Sequence, residues 1–153
     1  MTYTTDEGRQ ELLEVIAEAA EAIGVALAAL GEAYELVDQD AADRLERELF
    51  APAQAAYGRA KRGGTEFAAR HGLPAPALSP AATPGAPSAG AHGYVEQALD
   101  AAQRADDILS ESQDSLLPVE VGDPELRAAL ADVRTRLGEL SAHAAAWLRT
   151  LGR

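Results

Sequence analysis

A chain of 153 residues, 47% of them hydrophobic, is long enough for one domain with a real core; its aromatic content of only 5% leaves Ala as the main apolar residue. A net charge of -12 and a pI near 4.6 argue against nucleic acid and anionic membrane faces as ligands, because such a surface repels phosphate. The absence of cysteine excludes disulfides, thiol nucleophiles and Cys zinc sites.

The chain opens on an acidic, polar stretch (MTYTTDEGRQ) that does not resemble a signal peptide, and a soluble cytoplasmic protein is expected. Thr4 and Glu7 form a capping-box pattern, so a first helix starts at Thr4 or Thr5. Apolar residues then recur in alternating steps of three and four: Leu13, Ile16, Ala20, Ile23, Leu27, Leu30, Tyr34 and Val37. This is a coiled-coil-like seam, and the helix would run about 50 Å at 1.5 Å per residue. Inside it, residues 22–31 (AIGVALAALG) carry no polar side chain. A helix that is apolar all round asks for cover on every side. The stretch therefore predicts a contact beyond the bundle, formed by a collar of Gly24, Val25, Ala28 and Gly31.

Asp38, Gln39 and Asp40 mark a turn, with Asp40 able to cap a second helix over 41–71. Its seam is weaker: Leu45, Leu49, Ala53, Ala56 or Tyr57, Ala60, Gly64 and Phe67. Pro52 lies inside it and predicts a kink near Phe50. Gly72, Leu73 and Pro74 give a clear stop. Residues 73–92, with five prolines from Pro74 to Pro87, form a flexible linker that could run the length of a bundle. The end from which the third helix starts is thus left open.

A third helix is expected over 93–117, with Val95, Ala98, Ala102, Ala105, Leu109, Ser112 and Leu116 on one face. Pro118 ends it. Asp123 followed by Pro124 announces a fourth, whose seam is Leu126, Leu130, Val133, Leu137, Leu140, Ala144, Trp147 and Leu151. These elements predict an all-α fold: a single-domain antiparallel four-helix bundle of two hairpins, 4–72 and 93–152.

Chemistry-bearing residues are sparse. His71, His92 and His143 would have to converge to hold a metal, and their placement does not favour it. Glu139 and His143 stand four apart, without the second pair that a di-iron site needs. The first helix offers Glu11, Glu14, Glu18, Glu21, Glu32 and Glu35 at magnesium-like spacing, yet on a stripe that faces away from the seam. Arg59, Lys61, Arg62 and Arg70 form the one basic cluster, beside a soft point at Gly63 and Gly64. It suits an anion less well than ion pairs with the acidic face of helix 1 or with a second subunit. Ser110, Ser112 and Ser115 lack a base nearby in the pattern.

The expected function is a non-catalytic protein–protein interaction module that self-associates as a homodimer, without metal or cofactor. Two alternatives are a small metal-dependent bundle enzyme and an acidic binder of a basic protein, of the immunity or chaperone type. Limited proteolysis is expected to cut first within 74–92 and to leave two fragments that stay together in size-exclusion chromatography. Protection of this segment equal to that of the helices would contradict the linker.

Overall fold

The computed structural model describes residues 4–78 and 90–151. They form α1 (Thr5–Tyr34), α2 (Gln39–Leu45), a π turn (Glu46–Phe50), α3 (Ala51–Arg70), α4 (Gly90–Asp114), the one-turn α5 (Leu117–Glu120) and α6 (Pro124–Thr150). No strand occurs among the described residues, and the fold is the all-α bundle expected.

Helix ends follow their capping chemistry. The Thr4 hydroxyl accepts from the Glu7 amide at 3.1 Å, and the Glu7 carboxylate accepts from the Thr4 amide at 3.3 Å. The second helix starts earlier than expected. Asp38, not Asp40, is its cap: the Asp38 carboxylate accepts from the Ala41 amide at 2.8 Å. Asp40 then sits in the first turn, where a negative charge suits the helix dipole. At the far end, Gly72 adopts φ +66° and the Leu73 amide bonds back to the Ala68 carbonyl at 2.8 Å. This six-to-one closure needs the left-handed residue that glycine supplies.

Pro52 leaves its mark as a change of helical register. The chain remains helical from Gln39 to Arg70, and 46–50 widens into a π turn in which the Ala51 amide reaches the Glu46 carbonyl. Pro52 has no N–H for the Glu48 carbonyl four residues back. That carbonyl accepts from His143 Nδ1 on α6 at 3.1 Å.

The third helix begins at Gly90, a turn earlier than expected, and ends at Asp114 rather than Leu117. Continuing it would drive the Pro118 ring into the Asp114 carbonyl. Leu116 instead turns left-handed (φ 65°) and is 56% exposed, so it does not belong to the seam. Asp123 caps α6, accepting from the Leu126 amide at 2.8 Å.

Around the bundle the order is α1, α3, α6, α4, with α1 and α6 on one diagonal. Neighbours run antiparallel. Glu18 of α1 meets Arg104 of α4, while Glu32, near the other end of α1, lies close enough to act on Tyr94. Between α3 and α6, Arg70 meets Asp123, Arg59 meets Asp132, and Glu48, just before α3, meets Trp147. It follows that α3 and α4 run in the same direction on the other diagonal. The chain between Arg70 and Gly90 therefore connects opposite ends of the bundle. Its first part climbs the groove between α1 and α3, with Leu73 and Leu78 packed on the core. Residues 79–89 of the expected linker lie outside the described residues.

The most extensive backbone approach is between α1 and α4, which belong to different hairpins. Ala19, Ala22, Ala26, Ala29 and Ala33 of α1 and Ala98, Ala101, Ala102 and Ala105 of α4 are all buried. The Glu18–Arg104 pair borders this alanine stripe, which places it against α4. Large side chains fill the rest of the core; Phe67, Leu49, Leu109, Leu126 and Leu137 are fully buried. Gly63 and Gly64 are not a soft point but sites of close helix approach. A Cβ on Gly63 would stand 3.0 Å from that of Ala129, and one on Gly64 3.4 Å from Ile16 Cγ2.

Two substitutions test this core by urea denaturation. Leu137→Ala removes a fully buried leucine and is expected to cost about 2–5 kcal/mol. Ser112 is 7% exposed and its Oγ has no hydrogen-bond partner among the described residues. Ser112→Ala is therefore expected to leave stability unchanged or to raise it by up to about 1 kcal/mol. A loss at Ser112→Ala comparable to that at Leu137→Ala would contradict the packing described.

Candidate interaction surfaces

Three surfaces follow from this arrangement. The first is the outer flank of α1. Val25, Ala28 and Gly31 are half-buried there, and a Cβ built on Gly31 meets nothing within 4 Å. Exposed Glu14 and Glu18 lie toward one end of this patch and exposed Glu32 and Glu35 toward the other. Gly24 lies on the same face, one heptad before Gly31, but is buried. Most of the apolar run is thus covered by two neighbouring helices. Ala22, Ile23, Gly24, Ala26, Ala29 and Leu30 are all buried within the bundle.

The second surface is a groove of about 400 Å³ between α1 and α3. Leu13, Ile16, Ala17 and Ala20 form its α1 wall, and Ala60 and Gly64 line its α3 side. Tyr57, Lys61 and Thr65, at four-residue steps along α3, line it as well, and residues 75–78 complete the lining. Among the described residues, no hydrogen bond or ion pair engages the Tyr57 hydroxyl, the Lys61 ammonium or the Thr65 hydroxyl. The sequence showed Tyr57 as an alternative seam position and Lys61 as one cation of a cluster. The spacing that joins them to Thr65 beside small residues was the available signal.

The third surface is a groove of about 460 Å³ where α4 borders α1, lined by Glu18, Asp100, Asp107 and Glu111 around Arg104.

The basic cluster does not assemble. Arg59 and Arg70 point to α6, not to the acidic face of α1, and pair with Asp132 at 3.4 Å and Asp123 at 2.8 Å. Lys61 faces the α1 side, and the Arg62 guanidinium folds back over Gly58. The histidines do not converge either. His71 lies at the end of α3, with Nε2 2.9 Å from Asp123, while His143 lies against Glu48 near the opposite end. His92 is in the first turn of α4. Among the described residues, no group of three His, Asp or Glu side chains is placed to hold a metal ion. No helix among them is long and apolar enough to cross a membrane.

Two polar locks join α6 to the second hairpin arm. At one end, Trp147 is buried on its expected seam and donates from Nε1 to Glu48 Oε1 at 2.9 Å. The Arg44 guanidinium lies 4.9 Å from the centre of the Trp147 ring. At the other end, Arg70 grips both oxygens of Asp123 at 2.8 Å. Arg70, then the Leu126 amide and His71, hold the Asp123 carboxyl well below the usual carboxylate range. An ionised Asp123 only accepts, so His71 Nε2 carries the proton of that hydrogen bond.

Comparison of the chain with protein-family models, with curated proteins and with solved structures finds no match.

The Asp123 lock predicts an acid sensitivity. Its depressed pKa means that the native state binds fewer protons here than the unfolded chain. The stabilisation is complete above the ordinary carboxylate pKa of about 4 and is lost as pH falls toward the lower native value. Asp123→Asn keeps a capping side chain but loses the charge, and is expected to cost about 0.5–1.5 kcal/mol at pH 7, because the pair is partly exposed. In urea titrations the deficit should shrink between pH 5 and pH 2. A deficit independent of pH would show that the charge does not contribute.

Proposed function

We propose that this protein is a non-catalytic helical interaction module that binds another protein chain through the outer flank of α1, self-association being the first such contact. The observation that carries this reading is the flank itself: Val25, Ala28 and Gly31 stay partly open between exposed carboxylates, with free space beyond Gly31. An α-helix from a second chain can approach closely over residues this small. In a two-fold pairing with the apolar centres together, Glu14 and Glu18 of one copy meet carboxylates of the other. A homodimer of this kind therefore tightens as salt rises and screens that repulsion.

The α1–α4 groove supports a second reading, a basic partner. Four carboxylates surround Arg104 there in a chain of net charge -12. Such a complex weakens as salt rises, the opposite sign.

Light scattering across a salt series tests the proposal. The wild type is expected to be dimeric, more so at high salt, and Val25→Glu to be monomeric and folded. A wild type that is monomeric throughout removes self-association. Unchanged association of Val25→Glu removes the flank as the interface.

A further inference from the structure

We propose that the groove between α1 and α3 is a binding site for a small apolar carboxylate, such as a medium-chain acyl acid, independent of the α1 flank. Its volume of about 400 Å³ suits a small molecule, and its α1 wall runs only from Leu13 to Ala20, about 10 Å of helix. The α1 wall is wholly apolar along Leu13, Ile16, Ala17 and Ala20, and Leu78 continues it. This surface can take up a hydrocarbon tail.

The α3 side supplies the opposite chemistry. Lys61 is the only lysine of the chain, and no described carboxylate pairs with it. Elsewhere on the bundle Arg59, Arg70, Arg104, Arg134 and Arg136 are all engaged with Asp or Glu. Arg62 and Arg149, like Lys61, have no carboxylate partner among the described residues; what distinguishes Lys61 is its place beside an apolar groove. Tyr57 and Thr65 stand one turn to either side of Lys61, about 5–6 Å along α3. Lys61, at the centre of this row, can pair with a carboxylate, with Tyr57 or Thr65 as a second donor, while the tail lies against α1. Charge complementarity and polarity both select an apolar anion over an apolar cation or a neutral molecule.

Calorimetric titration of the full chain with decanoate and with 1-decanol tests this. The expected result is saturable uptake of one decanoate per chain, with 1-decanol at least tenfold weaker. Lys61 is exposed, so Lys61→Met should fold normally and lose the preference for decanoate over 1-decanol. Ala17→Trp fills the groove and should weaken both ligands at least tenfold. Absence of saturable decanoate binding overturns the proposal. So does a decanoate preference that survives Lys61→Met, which would place the ligand elsewhere.

Discussion

The close approach of α1 and α4 through their alanines governs the rest of this molecule. Ala buries little area, so it contributes little per residue by transfer from water. It repays proximity, because two backbones brought near each other gain dispersion contacts along their whole length. Once α1 and α4 are set this close, the remaining volume falls to larger residues on other faces. Leu49, Phe67, Leu126 and Leu137 fill it from α2–α3 and α6. The apolar run at 22–31 is the sequence trace of a helix with two close neighbours. Only Val25, Leu27, Ala28 and Gly31 of that run keep some exposure.

Charges divide along the same lines. Contacts that need definite geometry sit between α6 and its neighbours: Arg70 on Asp123, Arg134 on Asp106, and Trp147 on Glu48. They orient helices whose apolar contacts alone would tolerate sliding. On α1, Arg104 meets Glu18 at 3.5 Å in a largely exposed pair. Such a pair contributes little, roughly 0–1 kcal/mol.

Much of the fold was legible in the sequence because local chemistry decides it. The Thr4–Glu7 box, the stop at Gly72 and the Asp123–Pro124 start act over three or four residues and appear where the pattern puts them. The α6 seam from Leu126 to Trp147 is buried throughout. Asp38 against Asp40 was undecidable, since either carboxylate can cap and only tertiary placement chooses. Leu116 left its seam because Pro118 forced the chain to turn first. Within the collar Gly24 is buried while Gly31, one heptad on, keeps some exposure, a difference that helical periodicity does not report. Less of the candidate sites was legible. The groove joins α1, α3 and residues 75–78, and no local pattern reports which helices lie side by side.

The diagonal placement of α3 and α4 bears on how the chain reaches this state. The broadest contacts, α1 with α4 and α3 with α6, join residues far apart in sequence, whereas the hairpin partners α1 and α3 touch less. Helical bundles usually fold fast because their contacts are local. Here the entropy of closing the segment between Arg70 and Gly90 must be spent before the alanine interface can form. More of the helix contacts lie between the two hairpins than within them, so the native packing is complete only once the hairpins have docked.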